Sequence, residues 1–391
     1  MRTFASLRSG LQPPPRYADG IHLDFAFGTS ALGHYVKAAG SAPTIAAFTT
    51  LFTFTGGNQS YYRGPAGLLV AAVTNTPRIE YNTNGNCLGL LMESARTNLG
   101  LHSNDGTNAA WVSLNATAAK TATGPDGVSN SATTLTATAG NGTCLQTVVS
   151  LSAQRTFSIW LKRRTGTGNI DMTVDGGVGW TTKTITSSWA RYSITQTLAN
   201  PVFGLRIVTS GDEVDFWCAQ IESAPFMSSS IPTTTASVAR TVDTCIRTLG
   251  TEYSATAGTV VVFGTASGGQ ESAAQRIFVF HDGTDNERIH LARPGSSDVA
   301  RVSIQDGGVN QATLDAGSFT SLAKFRSAIA WAANDFATSF DGSAASTDTG
   351  GTLPTMTSLE FGLTNVQQMN GHIRKFDYSP VRLPNGFLTS V

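Results

Sequence analysis

The chain has 391 residues, with 26 lysines and arginines balanced by 26 aspartates and glutamates, so its formal net charge is zero. That length gives room for two or three domains, and the balance lacks the basic excess of a bulk nucleic-acid binder. Only 13% of residues are charged, about half the ordinary share, and 40 glycines with abundant Thr, Ser and Ala suit turns and strand faces, which predicts an all-β protein.

Met1 to Gly10 holds two arginines and no apolar run of the length a secretory signal needs, so no signal peptide is expected. No run of ~18 apolar residues occurs, so no membrane insertion is expected. Pro13-Pro14-Pro15 favours polyproline conformation. Ala47-Phe-Thr-Thr-Leu-Phe-Thr-Phe54 then alternates in the strand manner before Gly56-Gly57 stops it. Residues 1–103 read as an extended N-terminal arm or attachment segment with one or two strands, too poor in apolar residues to close a core and set to lie on a partner.

Residues 104–243 turn regular. Strand-like runs cover Cys144 to Leu151, Arg155 to Lys162, Asn169 to Val174, Trp180 to Thr186, Ala190 to Thr197, Val202 to Val208 and Val214 to Glu222. Along Arg155 to Lys162, Phe157, Ile159 and Leu161 share one face while Ser158, Trp160 and Lys162 share the other. Short strands with turn signals between them predict a β-sandwich. Ser228-Ser-Ser-Ile-Pro-Thr-Thr-Thr235 holds no run that could bury itself and reads as a linker.

Residues 244–391 carry a second series: Thr259 to Phe263, Arg276 to His281, Arg288 to Ala292, Ala300 to Gln305, Phe325 to Ala332, Thr338 to Asp341, Leu359 to Leu363 and Gly371 to Tyr378. Leu322 to Ala337 is Ala-rich enough for a helix on propensity. Phe325, Ile329 and Trp331 recur at period two on one strand face, and Asn334-Asp335 and Asp341-Gly342 are hairpin signals, so it reads as strand. The fold expected is two antiparallel β-sandwich, jelly-roll domains behind the arm. Cys87, Cys144, Cys218 and Cys245 show no CxxC pairing and read as buried free thiols.

Asn75-Thr-Pro-Arg-Ile-Glu-Tyr81, Gly89-Leu-Leu-Met-Glu-Ser-Ala-Arg-Thr-Asn-Leu99 and Asn108-Ala-Ala-Trp111 occur in that order, followed by Ala219-Gln220-Ile221-Glu222, Ser230-Ile231-Pro232-Thr233 and Ala239-Arg240. Met369-Asn370-Gly371-His372-Ile373-Arg374, Tyr378 and Arg382-Leu383 close the chain. This order resembles a family of tailed-bacteriophage virion proteins. The resemblance implies a carbohydrate-binding-module-like jelly roll over 104–243 and a concanavalin-A or laminin-G-like sandwich over 244–391. It also implies an appendage, fibre or capsid-decoration role in the virion, assembled in the host cytoplasm. The first twenty residues match nothing in that family.

Hydrolysis of a sugar needs two carboxyl groups across a cleft. Glu213 and Asp215, or Glu80 and Glu93, are the candidates, and a solvated edge is the plainer reading for the first pair. No GxSxG, HExxH or Walker-type loop is present and the six histidines are scattered, so the chain reads as no enzyme. Sugar binding would use exposed rings, for which Trp160 and Trp180 are the candidates, while Trp189 and Trp217 read as packing. The loop His281-Asp-Gly-Thr-Asp-Asn-Glu287 reads as a hairpin turn. Laminin-G-like folds suggest calcium as its alternative, with Asp282 and Asp285 as ligands, and no other cofactor is implied. Glu93, Arg96 and Asn98 read as structural contacts pinning the arm to the first sandwich by charge-assisted hydrogen bonds. The function expected is a structural virion component, a homo-oligomer by virtue of its arm, acting on other virion proteins and touching a host-surface glycan; a receptor-binding or carbohydrate-binding tail protein is the alternative. A glycan depolymerase is disfavoured because no 20–50-residue repeat is visible.

Overall fold

The computed structural model describes residues 18–266, 269, 271–362 and 367–391. These form an all-β protein divided into two compact units. One, here the terminal unit, gathers the residues up to Thr55, Cys87–Glu93 and Asp243–Val391; the other, the central unit, gathers Gly56–Asn86 and Ser94–Val242. Residues 18–103 are therefore shared between the two, where the sequence suggested a separate arm. The reason is strand pairing: Gly20–Asp24 is hydrogen-bonded between His34–Lys37 and Gly371–Ser379. Apolar residues too few for a core of their own complete another one.

The central unit is two five-stranded antiparallel sheets. One runs Val112–Leu114, Gly142–Thr147, Val202–Ile207, Ile170–Thr173, Thr181–Lys183. The second runs Ala116–Ala122, Ala132–Ala137, Glu213–Ser223, Ala153–Thr165, Ala190–Leu198. Alternation puts Phe157, Ile159 and Leu161 into a shared core with Trp111, Phe203 and Phe216. Each such side chain contributes roughly 1.5–3 kcal/mol when fully buried. The opposite face of Ala153–Thr165 is buried as well, because the chain after Glu213–Ser223 folds back over it. Ser228, Ser230, Ile231 and Thr233 are 5%, 2%, 0% and 5% exposed, so the stretch expected to be a linker is a strap laid on the sheet. Its hydroxyls and backbone are held by buried side chains, which is why a sequence of Ser and Thr can be interior.

The terminal unit also has two sheets. The larger runs Ser346–Asp348, Asp335–Phe340, Lys324–Ala332, Ala257–Ala266, Gly371–Ser379, Gly20–Asp24, His34–Lys37, Thr44–Ile45, and Cys87–Met92 joins it by pairing with Gly371–Ser379. The smaller runs Val309–Ser318, Val299–Asp306, Arg288–Arg293, Gln275–His281, Ser358–Phe361, Thr244–Thr248, Thr53–Thr55. Rings fill the space between: Phe280 lies 5.6 Å from Trp331 and 5.3 Å from Tyr378, and Phe361 lies 5.0 Å from Phe376. Gly258 has no room for a side chain, since a Cβ would fall 2.4 Å from the Trp331 indole.

The Ala-rich stretch is strand, as its alternation predicts, over Lys324–Ala332 and Asp335–Phe340. Its alanines have a separate use. Ala328, Ala330 and Ala337 face away from the rings and receive Leu388 and Val391 from the C-terminal helix Asn385–Ser390 and the residue after it. Larger side chains would hold that helix off the sheet. The run Ala47 to Phe54 differs from its expected strand: Phe48–Leu51 is a helical turn and only Thr53–Thr55 is extended. Spacing explains it, because Phe48, Leu51 and Phe52 are all buried and a helical turn brings them to one side.

Candidate functional site

The tryptophans singled out for sugar stacking are both occupied. Trp160 is 9% exposed. Its Nε1 donates to Ser230 Oγ at 2.9 Å, the Arg63 guanidinium stands 5.3 Å from its ring, and Trp217, Cys218 and Leu69 share its cluster. A stacking platform needs a ring open to solvent, so Trp160 is corrected to a packing residue beneath the strap. Trp180 is half-buried. The Arg206 guanidinium lies over it at 4.4 Å, and a Cβ on Gly177 would fall 2.7 Å from the indole. Arg206 is fixed in turn by Asp171 Oδ2, at 2.9 Å from Nε and 2.6 Å from Nη2, a bidentate arrangement.

The remaining sequence candidates resolve into local architecture. Asp282 Oδ1 accepts from Thr284 N at 2.8 Å and Thr284 Oγ1 at 2.7 Å, an Asx turn. Asp285 faces Arg276 Nη2 at 3.0 Å and Arg288 Nη1 at 2.5 Å. Against a desolvation that would raise it, these guanidiniums hold the Asp285 carboxyl below its usual range. The Asp285 carboxylate thus already carries two guanidinium partners, which disfavours a third cation on it. Among the described residues no group of three His, Cys, Asp or Glu is placed to hold a metal ion.

Asp215 is 2% exposed. It accepts from Thr134 Oγ1 at 2.7 Å and faces Lys162 Nζ at 3.1 Å, while Glu213 Oε2 faces Arg164 Nε at 3.6 Å. Glu93 donates its backbone N–H to Asp243 Oδ2 at 2.9 Å. Arg96 Nε stands 3.9 Å from Glu222 Oε2. Asn98 is fully buried and joins the strap to the sheet, donating to Ile231 O at 2.8 Å and Ala219 O at 3.2 Å and accepting from Ile221 N at 3.1 Å. Arg96 also lines a cavity of about 340 Å³ with Arg240, whose Nη2 donates to Ser94 O at 2.6 Å.

The open site lies on the outer face of the larger sheet of the terminal unit. Val262 and Phe376 point to the core, so Phe263 and Lys375, their strand neighbours, point outward. Register sets Phe263 directly between Arg326 on one strand and Lys375 on the next, with Asp24 beyond. The Lys375 ammonium is 6.0 Å from the phenyl centroid. A groove of about 200 Å³ opens here, lined by Phe263, Arg326, Lys324, Arg374, Asp341 and Cys87 among others. A bulge between Phe263 and Gly264 bends its floor, and a Cβ on Gly264 would fall 2.5 Å from His372 O.

The charges of the groove are not equivalent. Asp341 Oδ1 accepts the Arg326 backbone N–H at 2.8 Å. Arg374 pairs with Asp24, and Lys375 with Asp377 Oδ2 at 2.6 Å. Cys87 Sγ donates to Phe25 O at 2.9 Å, and burial pushes the pKa of its thiol up. Pairs of tied charges around a half-exposed ring can hold and orient a ligand; acid–base chemistry would need a carboxyl poised to exchange a proton. Phe263 was visible in the sequence as the end of a strand run, but nothing local distinguishes it from the core phenylalanines on either side of it in space.

The chain matches no protein-family model and no curated protein. Among solved structures it is similar to the CBM40 of Ruminococcus gnavus IT-sialidase bound to α2,3 sialyllactose, at 13% identity and a TM-score of 0.30 over 35% of this chain and 83% of that one. It is similar to the binding domain of botulinum neurotoxin DC in complex with SialylT, at 12% identity and 0.31 over 38% and 39%. The heptameric SAP-like pentraxin of Limulus polyphemus gives 11% and 0.27 over 37% and 73%. Likeness of this extent carries no argument about ligand or activity, and the sandwich architecture rests on the strand pairing described above.

Proposed function

We propose that the chain is a non-enzymatic structural component of a tailed-phage virion that contacts a host-surface glycan through the Phe263 groove. The virion part is supported by the ordered sequence motifs from Asn75 to Leu383. The glycan part is carried by one observation: a half-exposed phenyl ring on a sheet face, flanked by guanidinium and ammonium groups. The apolar face of a pyranose stacks on such a ring while its hydroxyls meet the charged rim. The groove is smaller than the roughly 300–1,000 Å³ of pockets that enclose a drug-sized ligand, which suits one ring of a longer glycan.

The test has two readouts. Purified particles contain the chain by mass spectrometry, and the isolated full chain binds an immobilised host-surface glycan. Phe263→Ala weakens that binding about fivefold to thirtyfold, the loss of an aromatic anchor at ~1–2 kcal/mol, with circular dichroism unchanged. Absence of the chain from particles refutes the virion role, and glycan binding indifferent to Phe263 refutes the site.

A further inference from the structure

The groove holds one charged group that the protein leaves uncommitted. Among the described residues, no carboxylate or other acceptor lies within hydrogen-bond or ion-pair distance of the Arg326 guanidinium, and its Nε is buried without an acceptor. Every acid nearby is engaged: Asp341 by the Arg326 backbone N–H, Asp24 by Arg374, Asp377 by Lys375 and by His22 Nδ1 at 3.1 Å. The sheet pairs Arg326 directly with Phe263, and its guanidinium reaches the Gly342 turn, where a Cβ would fall 2.8 Å from Nη2. A half-buried guanidinium with no acceptor among the described residues can take one from a ligand. Planar carboxylate is the group that matches its two terminal nitrogens.

We propose that the groove selects a sugar bearing a carboxylate, a uronic or nonulosonic acid, with its ring on Phe263 and its carboxylate on Arg326. The proposal rests on the glycan reading above and adds the class of sugar. Charge supports it: Lys324, Arg326 and Arg374 line the groove with Asp341 as the one acid. The cross-strand order gives the geometry, since Phe263 and Arg326 are directly paired and such neighbours stand about 4.5–5.5 Å apart at Cβ. A pyranose on the phenyl ring therefore brings a substituent at its edge to the guanidinium.

The experiment compares each acidic probe with its uncharged twin. Titration calorimetry of the full chain uses trigalacturonic acid and its methyl ester, an α2,8 sialic acid trimer and its methyl ester, and maltohexaose. The expected result is at least one acid bound tenfold or more tightly than its ester. Arg326→Gln brings acid and ester to the same affinity, Arg326→Lys retains part of the preference, and Phe263→Ala weakens both forms alike. Melting temperatures within about 3 °C of the wild type show that each variant is folded. Acid and ester bound equally, or maltohexaose bound while neither acid is, overturns the carboxylate assignment and leaves the glycan reading standing. No binding of any probe overturns both.

Discussion

Replacing Trp160 by alanine tests whether this ring is packing or platform. The side chain is 9% exposed, shares a cluster with Trp217, Cys218, Leu69, Ala122 and Ala132, and donates from Nε1 to Ser230 Oγ. Truncating a buried tryptophan costs roughly 3–5 kcal/mol, through lost transfer energy and the cavity left behind. In a unit of roughly 180 residues each kcal/mol moves the melting midpoint by about 2–4 °C, so Trp160→Ala lowers it by about 6–20 °C. Trp160→Phe keeps most of the ring contact and removes only the hydrogen bond, a net ~0.5–1.5 kcal/mol, and lowers the midpoint by about 1–6 °C. Scanning calorimetry of both variants, with urea unfolding as a second measure, reads the difference. A Trp160→Ala protein that melts within about 2 °C of the wild type and has lost glycan binding refutes the reasoning and restores the open platform.

The strap over the central unit resists protease: native-state proteolysis leaves the peptide bonds from Ser228 to Thr233 intact until the unit unfolds, because these residues are buried and hydrogen-bonded, and early cleavage there would show a linker after all. Acid stability reports on His290. Desolvation, with Arg276 and Arg288 adding to it and Asp285 opposing, pushes its pKa down to about 3 from 6.5. The unfolded chain therefore binds a proton that the folded one refuses, so the contribution of His290 is complete above pH 6.5 and is lost as pH falls from there toward 3. Urea midpoints of His290→Gln fall less steeply over that window than those of the wild type, and parallel profiles would show that His290 is not buried neutral.

The strands most legible in the sequence are those whose alternation is carried by large side chains. Phe157, Ile159 and Leu161, or Phe325, Ile329 and Trp331, announce a face by themselves. Ala116–Ala122 and Ala132–Ala137 do not, because Thr and Ala at alternate positions give little contrast between buried and exposed faces. Gly20–Asp24 is hidden for another reason: its partner strand is supplied from the far end of the chain, where His22 meets Asp377 at a separation of 355 residues. Trp160 misled by the same logic. Its strand face looked outward until a segment 70 residues on, polar in composition, supplied the cover. Arg326 could be read as a charged strand residue, but its lack of a partner is a property of which acids the fold has already taken.

The interleaved order of the two units bears on how the protein is made. Gly371–Ser379 sits in the middle of the larger sheet, between Ala257–Ala266 and Gly20–Asp24. While the chain is being synthesised, the earliest strands of the terminal unit must wait, unpaired along one edge, until nearly the whole polypeptide has left the ribosome. The central unit is complete by Val242 and can close during that interval. Waiting edges are sticky, so a ribosome that stops before Gly371 releases a product with one finished sandwich and a set of strands seeking any neighbour.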